Sequence, residues 1–316
     1  MIYRRQSGVI LPLTLVMLAI IATMATMLTT NSQRAIREAT VAKDHWQAKL
    51  AIHNAEQRVL YAMLTGEQQP GAYQLGQTTL QTDGTPAQLS NGVWVSVQDQ
   101  AGLLGLTFIN RSQMHAVLRG FLGEPSASNL TRQLINWQKE QQSDIDTYLN
   151  QENAPRGALF RSLDEVMLIP GMTPELYNGQ YWDLANQKAP NGSEGSPVPG
   201  FRDLFVLRGA AEPNLAATPP YLLNKLYGFN QEDIARLQEQ KARANWRGVE
   251  FSLRTMGVPV AQENFIPGKF YSVRFQYQTI QARGEFEINS YLLPTPRITW
   301  YSPDLFRFVE NNPGSR

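Results

Sequence analysis

The chain has no cysteine, which excludes a disulfide frame, a thiolate nucleophile and a cysteine-bound zinc. Histidine is scarce: His45, His53 and His115 lie in stretches with helical spacing, none beside a spaced carboxylate pair, and they read as surface or helix-packing residues. Net charge is nearly absent as well, with 28 Lys and Arg against 27 Asp and Glu. That balance gives no sequence-wide ground for a nucleic-acid partner. There is no Gly-x-Ser-x-Gly, no phosphate loop and no His-Glu-x-x-His, so the chain is not expected to be an enzyme. At 316 residues it is long enough to bury a sizeable core in one large unit or two compact ones.

Two further absences are local. No charged residue occurs from Ser7 to Gln33, and no Gly or Pro from Thr14 to Leu64. Val9 to Thr30 is apolar or hydroxylated, and as a helix it would rise ~33 Å, enough to cross a bilayer core. Arg4 and Arg5 precede it and direct the short N-terminal end to the cytoplasm by the positive-inside rule. The run is longer than the apolar region of a cleavable secretion signal and lacks a small-x-small cleavage site. Periodic apolar residues then continue without a turn: Ile36, Ala39, Ala42, Trp46 and Leu50, followed by Ile52, Ala55, Val59 and Ala62. This predicts one helix of about fifty residues, half for lipid and half packed on a folded body, stopping at Gly66. The alternative is two helices broken near Thr29-Thr30-Asn31.

A short basic leader, a glycine, an apolar half-helix and an amphipathic half-helix together resemble the type IV pilin and pseudopilin superfamily. The resemblance implies that a prepilin peptidase cuts between Gly8 and Val9 and methylates Val9. Residues 1–8 would be removed and the apolar helix kept as anchor and assembly element. Most members carry Glu at the fifth mature position, where it pairs with a neighbour's N-terminal amine; here that position is Leu13. A subunit with none above it has no amine to neutralise, and an unpaired carboxylate in lipid is costly. Leu13 therefore points to a tip position, as in the K subunit of type II secretion systems. Minor pilins of the PilX type can lack the Glu too, and such a subunit of a type IV pilus, in adhesion or DNA uptake, remains the alternative.

Downstream, YQLGQTTLQ and VWVSVQ alternate as strands, with DGTP as the turn between them. The pattern is helical from Leu106 to about Met172, low in complexity over 188–200, helical again over 213–246, and strand-like over Phe270–Phe308. The expected fold is α+β: a long N-terminal helix packed on an antiparallel sheet, with a large inserted helical domain. Its expected divisions are leader 1–8, membrane half-helix 9–30, amphipathic helix and first strands 31–98, inserted α-domain 99–248 with a loop at 188–200, and closing strands 249–316.

Within the insertion, SLDEVMLIPGMTPELY (162–177) resembles a motif in the α-domain of K pseudopilins, and PNLAATPPYLLNKL (213–226) resembles a second segment of that family. Read on its own residues, the first is a helix–turn–helix unit. Ser162 and Glu165 have capping-box spacing, Pro170-Gly171 makes a turn ahead of Met172, and Thr173-Pro174-Glu175 opens the next helix. Leu163, Val166, Met167 and Ile169 give its buried face. The Pro-Gly turn is shared with hairpins that bind DNA phosphates, but Asp164, Glu165 and Glu175 around it would repel a phosphate chain.

The resemblance implies a minor pseudopilin of a type II secretion system that caps the pseudopilus tip and nucleates its assembly. Expected partners are the I, J and H minor pseudopilins, the major pseudopilin, the prepilin peptidase and the inner-membrane assembly platform, with secreted substrate or the outer-membrane secretin as further contacts. It implies a single pass through the bacterial inner membrane with the body in the periplasm. No cofactor is expected. The family's calcium raises Asp144, Asp146 and Glu152 as ligands, although Asn136 stands at the family's first acidic position with Lys139 close by, and solvated loop charges are the other reading. A membrane-anchored periplasmic enzyme ranks last.

Overall fold

The computed structural model describes residues 10–67, 69–107, 110–138, 157–179, 199–207, 209, 213–278, 280–288 and 297–301. The chain divides into two compact units, Met1–Leu50 and Ala51–Arg316. Helix α1 runs unbroken over Ile10–Thr65, about 84 Å at the usual rise. No break occurs at Thr29–Asn31, because each hydroxyl there finds a partner on its own helix. Thr26, Thr29 and Thr30 donate to the carbonyls four residues back at 2.7–2.8 Å, which leaves no polar group seeking lipid. The helix ends at Gly66, whose N–H bonds Ala62 O at 2.9 Å. A Cβ there would lie 2.4 Å from that same oxygen, so only glycine turns the chain away at this point.

Unit one, as far as it is described, is the first part of α1. The residues expected to form a packed face there do not: Ile36, Trp46 and Leu50 are exposed. Ala48 is buried there, and in unit two the stripe of Ile52, Ala55, Val59 and Ala62 is buried throughout, as their spacing requires.

That stripe covers one face of a five-stranded antiparallel sheet. Its strands are β3 (Asp83–Gln88), β4 (Trp94–Asp99), β7 (Phe270–Tyr277), β8 (Ile280–Glu287) and β9 (Arg297–Tyr301), in the order β3-β4-β7-β8-β9. The register aligns Val95 with Phe275, Phe275 with Ala282, and Tyr271 with Phe286, and these face α1 in one core with Ile52, Val59 and Met63. Alternate residues form a polar face: Ser96, Arg274 and Arg283 are directly opposite one another across three strands.

Two sequence expectations near the sheet change. YQLGQTTLQ is a hairpin, β1 (Ala72–Leu75) and β2 (Thr78–Gln81), turning at Gly76-Gln77 with Gly76 at φ +61°. DGTP is strand β3 itself. Gly84 at φ +85° and a register shift between Asp83 and Pro86 make a bulge that the strand runs through. The turn before β4 falls instead at 89–93, closed by Gly92 N–H to Leu89 O.

Strands β4 and β7 are hydrogen-bonded neighbours, yet Gln100–Lys269 intervenes between them in sequence. That insertion holds α2 (Arg111–Leu122), α3 (Ser126–Gln138), α4 (Pro174–Asn178), α5 (Phe201–Leu204), α6 (Pro220–Tyr227), α7 (Gln231–Ala242) and α8 (Trp246–Thr255), with short parallel strands β5 (Leu104–Gly105) and β6 (Phe205–Val206). It buries two cores of its own. One joins α2 and α3 to the 163–177 segment and Phe201; the other centres on Phe229, Leu237 and Leu253. The fold is α+β, with the long helix on an antiparallel sheet and a helical insertion between two adjacent strands. The 188–200 loop lies outside the described residues apart from Pro199 and Gly200.

Candidate functional site

The first candidate is the apolar part of α1. It is the one helix among the described residues long and apolar enough to cross a membrane, with a mean hydropathy of 2.0 in its most apolar stretch. Leu13 is 59% exposed, and Leu18, Met24 and Leu28 are exposed to a similar degree. A helix that is apolar on every face and covered by no protein has lipid or other helices as its natural solvent. Gly8 and Val9 lie outside the described residues.

The second candidate, Ser162–Tyr177, is built as a packing unit. Residues Leu163–Leu168 form a 3-10 helix. The expected capping box is not made: Ser162 bonds no backbone N–H with its side chain. Glu165 instead accepts from Arg161 N–H at 2.8 Å and from Trp137 Nε1 at 2.9 Å. The carboxylate thus bridges the indole on α3 and the backbone just ahead of its own helix. The rest follows the sequence reading. Met172 N–H closes a turn on Ile169 O at 3.0 Å, with Pro170 second and Gly171 third at φ +94°, the type II arrangement. Thr173 Oγ1 accepts from Leu176 N–H at 3.2 Å and caps α4. Val166, Ile169 and Met172 are buried, and Leu163 packs at the edge. Asp164 accepts from the Tyr177 hydroxyl. Asp164 and Glu165 are thus held by hydrogen bonds, and the three acids leave the turn negative, unsuited to phosphate.

Three polar clusters, none legible as a motif, fasten the insertion to the sheet. In the first, Asp99 at the end of β4 accepts from Ala101 N–H at 2.8 Å, Gly268 N–H at 2.9 Å and Asn214 Nδ2 at 3.1 Å. Both ends of the insertion and a point near its middle meet at one carboxylate. Burial pushes that carboxyl upward, and the three N–H donors pull it back without cancelling the rise. In the second, Lys241 of α7 donates to Asp83 of β3 at 2.7 Å, with both side chains fully buried. Gln238 adds a bond at 2.9 Å. Burial raises the Asp83 carboxyl, but Lys241 and the donors Thr85 and Gln238 outweigh it and hold it below the ordinary value.

In the third, Asp203 of α5 binds Arg274 of β7 and Arg283 of β8 at 2.5 and 2.9 Å. The two arginines are cross-strand partners and would repel one another without it. Burial works against the Asp203 charge, yet Arg274, Arg283 and Arg202 together keep its carboxyl below the usual range. Asn214 sits in the 213–226 segment and Asp83 opens the DGTP run, both singled out in the sequence, but neither signal pointed to these partners.

Catalytic geometry is not assembled at the described histidines. His115 contacts Glu124 and Ser128, but through the same ring nitrogen, Nε2, whereas a nucleophile relay needs opposite nitrogens. His53, exposed on α1, pairs with the buried Glu56 at 3.1 Å one turn on. Among the described residues no group of three His, Asp or Glu side chains is placed to hold a metal; Asp144, Asp146 and Glu152 lie outside them.

No protein-family model and no curated protein matches the chain. Among solved structures it is similar to a chain of the crystal structure of the GspK-GspI-GspJ complex from the enterotoxigenic Escherichia coli type 2 secretion system. The two are 12% identical, with a TM-score of 0.40, and the likeness covers 83% of this chain and 97% of that one. A score that low is short of fold-level superposition, so the architecture rests on the strands, helices and register given above.

Proposed function

We propose that the chain is a minor pseudopilin of a type II secretion system, anchored in the inner membrane by α1 with its body in the periplasm. It is processed between Gly8 and Val9 and methylated on Val9. It then joins the I, J and H minor pseudopilins through its apolar helix, caps the tip of the pseudopilus and nucleates its growth. The observation that carries this reading is α1 itself. A single helix is naked and apolar over its first turns and becomes one wall of a sheet-backed core over its last fifteen residues. An anchor that only tethers could be any apolar segment; here one continuous helix supplies both the apolar stretch and a wall of the core.

Two features support the tip position. Leu13 supplies no charge to pair with a neighbouring amine. The insertion of Gln100–Lys269 adds bulk between β4 and β7 that a thin fibre would have to accommodate at every repeat. Calcium at Asp144, Asp146 and Glu152 is not needed for any of these roles and is not proposed.

The deciding experiment is intact mass and N-terminal sequencing of the protein from native membranes. The expected result is a start at Val9 with an added methyl group, together with co-purification of the other minor pseudopilins. A start at Met1 would make the chain a plain anchored protein and remove the tip argument built on Leu13. A start well beyond Thr30 would mean a secretory signal and a soluble body.

A further inference from the structure

We propose that Arg34 and Arg37 form an anionic-phospholipid docking site at the far end of the apolar span, on one face of α1. The inference rests on the reading of residues 12–30 as membrane-spanning. At the usual rise those nineteen residues cover ~28 Å, close to the ~30 Å hydrocarbon core. Asn31, Ser32 and Gln33 carry the helix about 4.5 Å further, into the headgroup layer. Arg34 is then the first charge the helix meets on leaving the apolar stretch, and Arg37 follows one turn later.

Four observations point to phosphate of a lipid as the occupant. Both arginines are exposed on unbroken helix, and three-residue spacing places them on adjoining parts of one face. Neither makes an ion pair with a described residue, although Glu38 lies one turn beyond Arg34. Helical Cα–Cβ bonds tilt toward the N-terminus, which here is toward the bilayer, so both long side chains reach back to the phosphate layer rather than away from it. The guanidinium fork matches phosphate oxygens two at a time. Phosphatidylcholine carries its own ammonium close to the phosphate, which competes with the arginines. Phosphatidylglycerol has none, so the pair selects the anionic lipid.

The chain without cysteine makes the test clean. The full-length protein is reconstituted in phosphatidylcholine vesicles, and the selectivity of its first lipid shell is read by electron spin resonance with spin-labelled phosphatidylglycerol and spin-labelled phosphatidylcholine. One basic residue at an anionic surface is worth about a fivefold preference. The expected wild-type selectivity is therefore about fivefold or more for phosphatidylglycerol, falling with added salt. In the R34Q/R37Q variant it falls about fivefold or more from the wild-type value, the remainder being that of Arg4 and Arg5 at the other end of the span, and R34K/R37K retains most of it.

A nitroxide on I21C serves as the depth control. Hydrocarbon depth for that label, with equal selectivity in wild type and R34Q/R37Q, would overturn the docking site and leave the spanning reading standing. An aqueous label at residue 21 would overturn both. No preference for phosphatidylglycerol in the wild type would overturn the docking site outright.

Discussion

Lys241 Nζ lies 2.7 Å from Asp83 Oδ2, and neither side chain has any contact with solvent. A lysine on a helix of the insertion and an aspartate in a bulged strand of the sheet thus meet in a water-free site. Each is acceptable there only because of the other. Lys241→Met leaves a buried carboxylate without its cation and is expected to cost about 3–5 kcal/mol. The double variant D83N/K241M keeps an acceptor for the Thr85 N–H and removes both charges. It should be clearly more stable than K241M alone, since replacing a whole buried pair is far less costly than breaking it. Thermal unfolding of the full chain in detergent, followed by circular dichroism, measures both. A double variant no better than the single one would mean the pair is not the source of the loss.

Acid should loosen the attachment of the insertion. The folded-state carboxyls of Asp83 and Asp203 both lie below the ordinary value. Their stabilisation is therefore fully present above the unfolded carboxylate value of about 4 and is lost as pH falls from there through the depressed folded values. The melting temperature of the wild type should fall steeply below about pH 4. D203N removes one of the two contributions, so its decline over the same range should be shallower. At neutral pH the same variant should be less stable by about 3 kcal/mol, because Arg274 and Arg283 then face each other across the strands without a counter-charge. A D203N curve parallel to the wild type through the acid range would remove Asp203 from the account.

The long helix was legible because its signal is one of composition and continuity. A run without charge, Gly or Pro has few structures open to it, and Gly66 marks its end. Ile52, Ala55, Val59 and Ala62 were legible by spacing, and so were the alternating strands β4, β7 and β8. Ile36, Trp46 and Leu50 have the same spacing and stay exposed, because periodicity shows that a face exists and not what covers it. DGTP was misplaced for a local reason: the Asp-Gly pair that makes a tight turn also makes a bulge, and only the partner strand decides which. The Ser162–Glu165 box failed because the carboxylate is shared between Trp137, twenty-eight residues upstream, and the Arg161 N–H. Asp99, Asp83 and Asp203 were invisible for the same kind of reason. An aspartate at a strand end or in a short helix reads as solvated until a chain segment 71 to 158 residues away is folded onto it.

The Asp99 cluster predicts an unusually sharp effect from an isosteric change. Asn214 donates through one nitrogen to Asp99 Oδ2 at 3.1 Å and to Pro70 O at 2.7 Å. Asn214→Asp keeps the shape but turns that donor into an oxygen facing two acceptors in a buried site. The expected loss is about 3 kcal/mol or more at neutral pH, and it should shrink at low pH where the new carboxyl is protonated and can donate. Gly268→Ala tests the same cluster sterically, since its Cβ would fall 2.4 Å from Asp99 Oδ1 and 2.9 Å from Ala101 Cβ. An overpacked contact of that kind costs about 1–3 kcal/mol, with no pH dependence of the kind N214D shows. Melting curves of the two variants at neutral and acid pH separate charge from crowding.

The motif at Ser162–Tyr177 gives a comparison in which sequence and structure disagree on the ranking. Capping-box spacing makes Ser162 the important hydroxyl, yet its side chain caps nothing, whereas Thr173 Oγ1 accepts from Leu176 N–H at 3.2 Å. Ser162→Ala should therefore change stability by less than about 0.5 kcal/mol, and Thr173→Ala should cost about 1 kcal/mol. Glu165→Ala should exceed both, because it strands the Trp137 indole N–H in a partly buried position. Gly171→Ala adds a separate backbone cost of about 1 kcal/mol from its φ of +94°. Hydrogen exchange across 160–178, with melting temperatures of the four variants, reads the order directly. Equal losses at Ser162 and Thr173 would restore the capping box and displace Glu165 from the Trp137 contact.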